Sequence, residues 1–286
     1  MTPRLILETL LPYVKVAGAY ARQIQSRIGV RPDKDYPDNS FAAALSDADL
    51  SIQAFIEVAL LGTFPQIRFY GEEYEHSANT KYFRAIDLGE PGDYLVTLDP
   101  IDGTKFYLDG HSNYQIILTV LDRDEFEAVL TLSPSENAYY YALRGQGAFR
   151  GTLDDSLDTC GRLHVTPMEP KVYLGLGLSH LVPRLNDRYS VVDLTTSYSP
   201  EVRIPGFSGM LAGELTGAII ESGKFIDGAA LAFVAQEAGC IVTTWDGSVP
   251  PPLHTCENYE RPGLVIASSP TVHQHLLEAM QATVLS

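Results

Sequence analysis

The sequence predicts a mixed fold in two portions, α+β over residues 1–156 and α/β over residues 157–286, and three observations carry that expectation. Apolar residues in the first thirty positions repeat at helical spacing. Three β-rich runs follow one another between residues 115 and 143 with only short turns between them. Beyond Gly161, short strand-like runs alternate with helical segments.

In chain order, Leu7, Leu10, Leu11, Val14, Ala17, Ala21, Ile24 and Ile28 form a stripe that packs one helix face on a core, and Pro12 is expected to kink or start that helix. A second helix is expected over about 49–61, where Ile52, Phe55, Ile56, Ala59 and Leu60 share a face and Gly62 and Pro65 supply the stop. A short strand at 66–70 ends at Gly71-Glu72-Glu73. The run 94–98 reads as a buried strand cut off at Asp99-Pro100, because proline cannot continue a hydrogen-bond ladder. Strands at 115–121, 126–132 and 138–143, broken by Asp122-Arg123-Asp124 and Ser133-Pro134-Ser135, make an antiparallel meander. The polar stretch 151–161 marks a domain boundary. After it, strands are expected at 172–178, 218–221, 240–244 and 264–267, with helices near 208–215, 227–238 and 270–280.

Composition narrows the function. The 286 residues are 45% hydrophobic and 20% charged, enough to bury a sizeable core. With 20 basic and 36 acidic side chains the net charge is −16, a field that repels phosphate backbones and anionic membranes, so neither a nucleic-acid polymer nor a membrane is expected as partner. Cys160, Cys240 and Cys256 lack zinc spacing and suit reduced thiols. Glu8 and Lys15 interrupt the first apolar stretch, and no run approaches the roughly 18 residues a membrane span needs. A soluble, cytoplasmic protein is expected. His76, His111 and His180 are not at metal-ligand spacing and read as solvated loop residues, and Tyr139-Tyr140-Tyr141 reads as sheet packing.

The informative feature is where the acids fall. Asp49 heads the second helix, Glu72 follows one strand, Asp99 and Asp102 follow another, and Asp227 starts a helix. Singly, Glu72-Glu73 would be a solvated turn and Asp227 a helix cap. The run Asp99-Pro100-Ile101-Asp102-Gly103-Thr104 asks for more. It sets two carboxylates three residues apart around a rigid proline, with the Ile101 carbonyl as a further oxygen donor, which suits a hard cation. Gly103 allows close backbone approach, and a helix starting near Thr104 would offer amides to an anion.

Phe64-Pro65, Gly71-Glu72-Glu73, the Asp99–Thr104 run, Asp227-Gly228-Ala229-Ala230 and Glu237-Ala238-Gly239 together resemble the inositol monophosphatase superfamily across most of the chain. The resemblance implies a layered αβαβα sandwich with the active site between its two portions. It also implies two or three Mg²⁺ ions held by Glu72, Asp99, the Ile101 carbonyl, Asp102 and Asp227. Asp49, Glu72 and Thr104 would handle the attacking water, and Gly103 and Thr104 would touch phosphate. Gly206, Ser208 and Glu221 would face substrate. The implied activity is Mg²⁺-dependent hydrolysis of a phosphate monoester on a small soluble metabolite such as an inositol monophosphate, by a homodimer. Alternatives are a 3′-phosphoadenosine 5′-phosphate nucleotidase, to which Thr104-Lys105 is similar, a fructose-1,6-bisphosphatase, or a non-catalytic relative that binds a phosphometabolite. The chain departs from the family pattern at Ile226, where relatives often carry tryptophan, and over residues 43–49.

Overall fold

The computed structural model describes residues 1–28, 46–73 and 93–284, with side chains to residue 281. His76 and residues 43–45 lie outside the described residues. The chain divides into two compact units, residues 1–143 with 150–161, and residues 144–149 with 162–286.

The first unit opens on helix α1 (Pro3–Ile24), capped by Thr2, whose hydroxyl accepts from the Leu5 amide at 3.2 Å. Its stripe from Ile6 to Ala21 is buried. Pro12 neither starts nor ends the helix. It lies on the exposed side, where the Glu8 carbonyl it leaves without an amide partner can be hydrated. Helix α2 (Asp47–Thr63) starts at a capping box in which the Ser46 hydroxyl receives the Ala48 and Asp49 amides and Asp49 receives the Ser46 amide. Ile52, Ile56 and Leu60 are buried, but Phe55 points outward with 40% of its surface exposed, contrary to the face assigned to it from spacing. Both helices pack on a sheet, α1 against β4 and α2 against β2.

That sheet has seven strands in chain order: β1 (Arg68–Gly71), β2 (Leu95–Asp102), β3 (Gln115–Leu121), β4 (Phe126–Ser133), β5 (Ala138–Leu143), β6 (Gly147–Thr152) and β7 (Gly161–Arg162). β1 pairs parallel with β2; β2 to β5 form the antiparallel meander. β2 corrects the expectation of a strand cut at Pro100, since it runs on to Asp102. The ladder to β3 slips between Asp99↔Ile117 and Asp102↔Gln115, so three steps on β2 face two on β3. Pro100 sits in that bulge, where its missing amide interrupts no regular pairing. His111 is buried rather than solvated, its ring 6.2 Å from that of Phe106. Tyr139, Tyr140 and Tyr141 are buried within β5.

The second unit is built on a five-stranded mixed sheet of order β12-β14-β10-β8-β9. Its strands are β8 (Lys171–Leu174), β9 (Ser190–Asp193), β10 (Gly217–Ile220), β12 (Ile241–Thr244) and β14 (Leu264–Ala267). Val172, Leu174, Ile219 and Val265 form a core with Leu276 and Met280 of the C-terminal helix Pro270–Val284. The helix expected over 208–215 is a single turn, Gly209–Ala212, because Gly213 at φ 77° ends it. No helix among the described residues is long and apolar enough to cross a membrane. The whole is a mixed α+β fold of helices layered on sheets.

Candidate active site

In the first unit, the β1–β2 register brings the expected acids to one end of the strands. The last parallel pair is Gly71↔Leu98, and the Glu72 amide donates to the Leu98 carbonyl at 2.9 Å, so Glu72 and Asp99 are the next residues on neighbouring strands. Gly71 is needed here: a side chain would run into Gln53 of α2, whose carbonyl oxygen receives the Glu73 amide at 2.9 Å. Asp99 is 3% exposed. Asp102, past the bulge, is half-buried and accepts from Gln115 Nε2 at 2.7 Å, while Gln115 Oε1 accepts from Thr131 at 2.6 Å. Gln115 thus fixes the Asp102 carboxylate. Nothing local in the sequence singles out Gln115; only the register across the bulge sets it opposite Asp102.

Gly103, at φ 86°, turns the chain from β2 into the five-residue helix α3 (Thr104–Leu108). The Thr104 hydroxyl lies 2.9 Å from the Ile101 carbonyl and 3.3 Å from Asp49 Oδ1, a contact between residues 55 apart in sequence. A hydroxyl has one proton, so it cannot satisfy both acceptors at once, and the shorter contact holds it here. Asp49 is fully buried, and its Oδ2 receives both the amide and the hydroxyl of Ser46. Tyr107 of α3 adjoins this group: burial first, then the nearby Tyr114 and Asp49, push its phenol well above the ordinary range, and it donates to the Ala21 carbonyl at 2.8 Å. It therefore stays protonated. Lys105 pairs with Asp109 at 3.0 Å on the same short helix.

In the second unit, Asp227 caps the helix Gly228–Glu237 by accepting from the Gly228 amide. Gly206 and Ser208 belong to the turn before Gly209–Ala212, their carbonyls accepting the Gly209 amide at 3.0 Å and the Leu211 amide at 2.9 Å. Glu221 follows β10, is exposed, and lies beside Gly177.

The donors suit magnesium in kind: carboxylates and a main-chain carbonyl are hard oxygens, and a carbonyl bonded once retains a second lone pair. Among the described residues, however, no three His, Cys, Asp or Glu side chains are gathered in a group able to hold a metal ion. Within the first unit, backbone geometry sets Glu72 and Asp99 at neighbouring strand positions.

The inositol monophosphatase family model matches residues 6–285, and the chain belongs to that family. It is 25% identical over 283 residues to the putative Nus factor SuhB of Neisseria meningitidis, covering 96% of this chain and 99% of that protein. To the inositol-1-monophosphatase of Rhizobium meliloti it is 26% identical over 175 residues, 57% of this chain and 62% of the other. The fold matches that of Thermotoga maritima IMPase with a TM-score of 0.71, at 19% identity over 97% of each chain.

Proposed function

We propose that the protein is a Mg²⁺-dependent phosphatase that hydrolyses a phosphate monoester of a small soluble metabolite, inositol monophosphate or a related ester. The observation that carries this reading is the approach of Thr104 to buried Asp49 directly beside the Asp99–Asp102 run. Glu72, Asp99, the Ile101 carbonyl, Asp102 and Asp227 would hold two or three magnesium ions. Bound there, magnesium would offset the ester's negative charge, make water a better nucleophile and stabilise the leaving alkoxide. The chain's own groups do the rest. Thr104 can pass its proton to Asp49 while accepting one from water, with Glu72 helping to hold that water. Gln115 keeps Asp102 aimed, and the bulge at Pro100 presents the Ile101 carbonyl. Gly103 and Thr104 would meet the phosphate, and Gly206, Ser208 and Glu221 the remainder of the substrate.

Release of inorganic phosphate from inositol 1-phosphate, fructose 1,6-bisphosphate and 3′-phosphoadenosine 5′-phosphate, with and without Mg²⁺, tests this. At least one ester should turn over only with the metal. Asp99→Asn should lower that rate on the order of 10³-fold, the equivalent of several kcal/mol of lost charge stabilisation, with an unchanged circular dichroism spectrum. Undiminished turnover in the variant would sink the assignment.

A second reading, a non-catalytic relative that binds a phosphometabolite or a partner protein, is favoured by the likeness to a putative Nus factor. It expects every ester to remain intact.

A further inference from the structure

Left-handed backbone is kept in this chain for residues that tolerate it, with one exception. Among the described residues at positive φ, eight are glycine and two are asparagine, and the other is Tyr259, at φ 56°. It follows Asn258, at φ 53°, in a four-residue turn that the Glu260 amide closes on the Glu257 carbonyl at 3.2 Å. A turn with both central residues at positive φ favours asparagine then glycine, because a Cβ in this conformation crowds the following carbonyl oxygen. Tyr259 is therefore strained where glycine would not be. Strain of this kind persists where the surrounding structure holds the residue in place, and it gathers at working sites.

What the tyrosine meets is the segment leading into Asp227. β11 (Gly223–Lys224) pairs antiparallel with β13 (Glu260–Arg261), Lys224 opposite Glu260. One step beyond that ladder the Phe225 amide donates to the Tyr259 carbonyl at 2.9 Å, and the two rings meet edge to face, 6.3 Å between centres and 81° between planes. Phe225 is 2% exposed and Tyr259 39% exposed, so the outer residue holds the inner one by backbone and ring together. Phe225, Ile226 and Asp227 form the turn from β11 into the helix Gly228–Glu237. Asp227 caps that helix at φ −133° and ψ −91°, outside the extended region that cap residues usually adopt. Packing of the turn, rather than local preference, thus sets where its carboxylate points.

We propose that Tyr259 is a positioning residue for Asp227: its ring and carbonyl lock Phe225, and Phe225 fixes the turn that aims the carboxylate. The proposal rests on the reading of Asp227 as a magnesium ligand. Glycine or asparagine at position 259 relaxes the backbone but leaves the Phe225 ring without this edge contact, and the turn then depends on the two-residue ladder and the remaining backbone bond. Groups that orient a metal ligand from behind ordinarily carry about 10- to 100-fold of the metal affinity.

Manganese(II), followed by electron paramagnetic resonance on the full chain, is the probe. Asp227→Asn should weaken the binding of an ion. Tyr259→Asn and, as a second removal of the ring that also relaxes the backbone, Tyr259→Gly should each weaken the same ion about tenfold. Tyr259→Phe, which keeps the ring and its strain, should bind as the wild type does. Added to Asp227→Asn, Tyr259→Asn should change the affinity less than about twofold, because it acts only through that carboxylate. Deuterium exchange at the Phe225 amide should quicken about tenfold in the asparagine and glycine variants and not in Tyr259→Phe. Wild-type affinity in both ring deletions, with matching circular dichroism, overturns the proposal and leaves Asp227 a ligand. So does an equal weakening with and without the Asp227 carboxylate, which would make Tyr259 merely structural. A wild type that binds no manganese, or an Asp227→Asn variant that binds it as the wild type does, takes the ligand reading and the proposal down together.

Discussion

In the first unit the candidate residues are held by their surroundings: Asp49 and Asp99 are buried, the Thr104 hydroxyl is bonded to the Ile101 carbonyl with Asp49 3.3 Å away, Asp102 is bonded to Gln115 on the next strand, and β2 is eight residues long. In the second unit Gly206, Ser208 and Glu221 lie on turns or past the end of a four-residue strand, shaped mainly by backbone hydrogen bonds. Asp227 is partly exposed, and the bond described for it is to the next amide along. Groups fixed from several directions are fitted to hold a reacting centre, since small displacements there cost rate. Groups on short turns are fitted to vary with the ligand. On the proposed function, the contrast would put the handling of water in the first unit and the fit to substrate in the second.

The contrast breaks most sharply at Thr104. Thr104→Val keeps the side chain's shape and removes the hydroxyl, and should lower kcat about 10²- to 10⁴-fold, with Thr104→Ser recovering most of it; steady-state kinetics on the best ester decides. An unaltered kcat would move the chemistry away from this unit. Next in size is Gly103→Ala. At φ 86°, with the Asn113 carbonyl oxygen 3.0 Å from the added carbon, it should cost about 1–2 kcal/mol, read from urea unfolding. Glu221→Gln should be milder, raising KM roughly tenfold with kcat little changed. A kcat loss like that of Thr104→Val would erase the division of labour.

The smallest effect concerns the second unit's stability. His273 Nε2 lies 2.8 Å from the Thr243 hydroxyl, and burial lowers its pKa below the ordinary 6.5. Above pH 6.5 the imidazole is neutral folded and unfolded, and its contribution is intact. As pH falls through 6.5 the unfolded chain takes up the proton first, so stability drops until the folded imidazole titrates too. Melting curves between pH 7.5 and 5 should therefore show a shallower fall for His273→Gln than for the wild type.

Much of this was legible in the chain. The meander strands β3 to β5 stand where apolar runs broken by Asp122-Arg123-Asp124 and Ser133-Pro134-Ser135 put them, since polar turn residues interrupt burial at each end. The buried stripe of α1 follows from spacing alone. A proline reads as the end of a ladder, whereas β2 continues past Pro100 because a bulge releases that residue from pairing. The pair β11 (Gly223–Lys224) and β13 (Glu260–Arg261), of two residues each, is too short to show a period. Phe55 lies at the edge of the helical stripe of Ile52, Ala59 and Leu60, and only packing decides that it faces out.

The order of residues alone settled which chemical groups are available: acids at strand and helix ends, a proline and glycine among them, and a family pattern that runs the length of the chain. Such features are local, and local rules of turns and caps decide them. Tertiary structure alone decided that Thr104 reaches Asp49, that Gln115 holds Asp102, and that Phe55 faces out. Those outcomes depend on strand register and helix packing, which join residues far apart in sequence and leave no mark at either position.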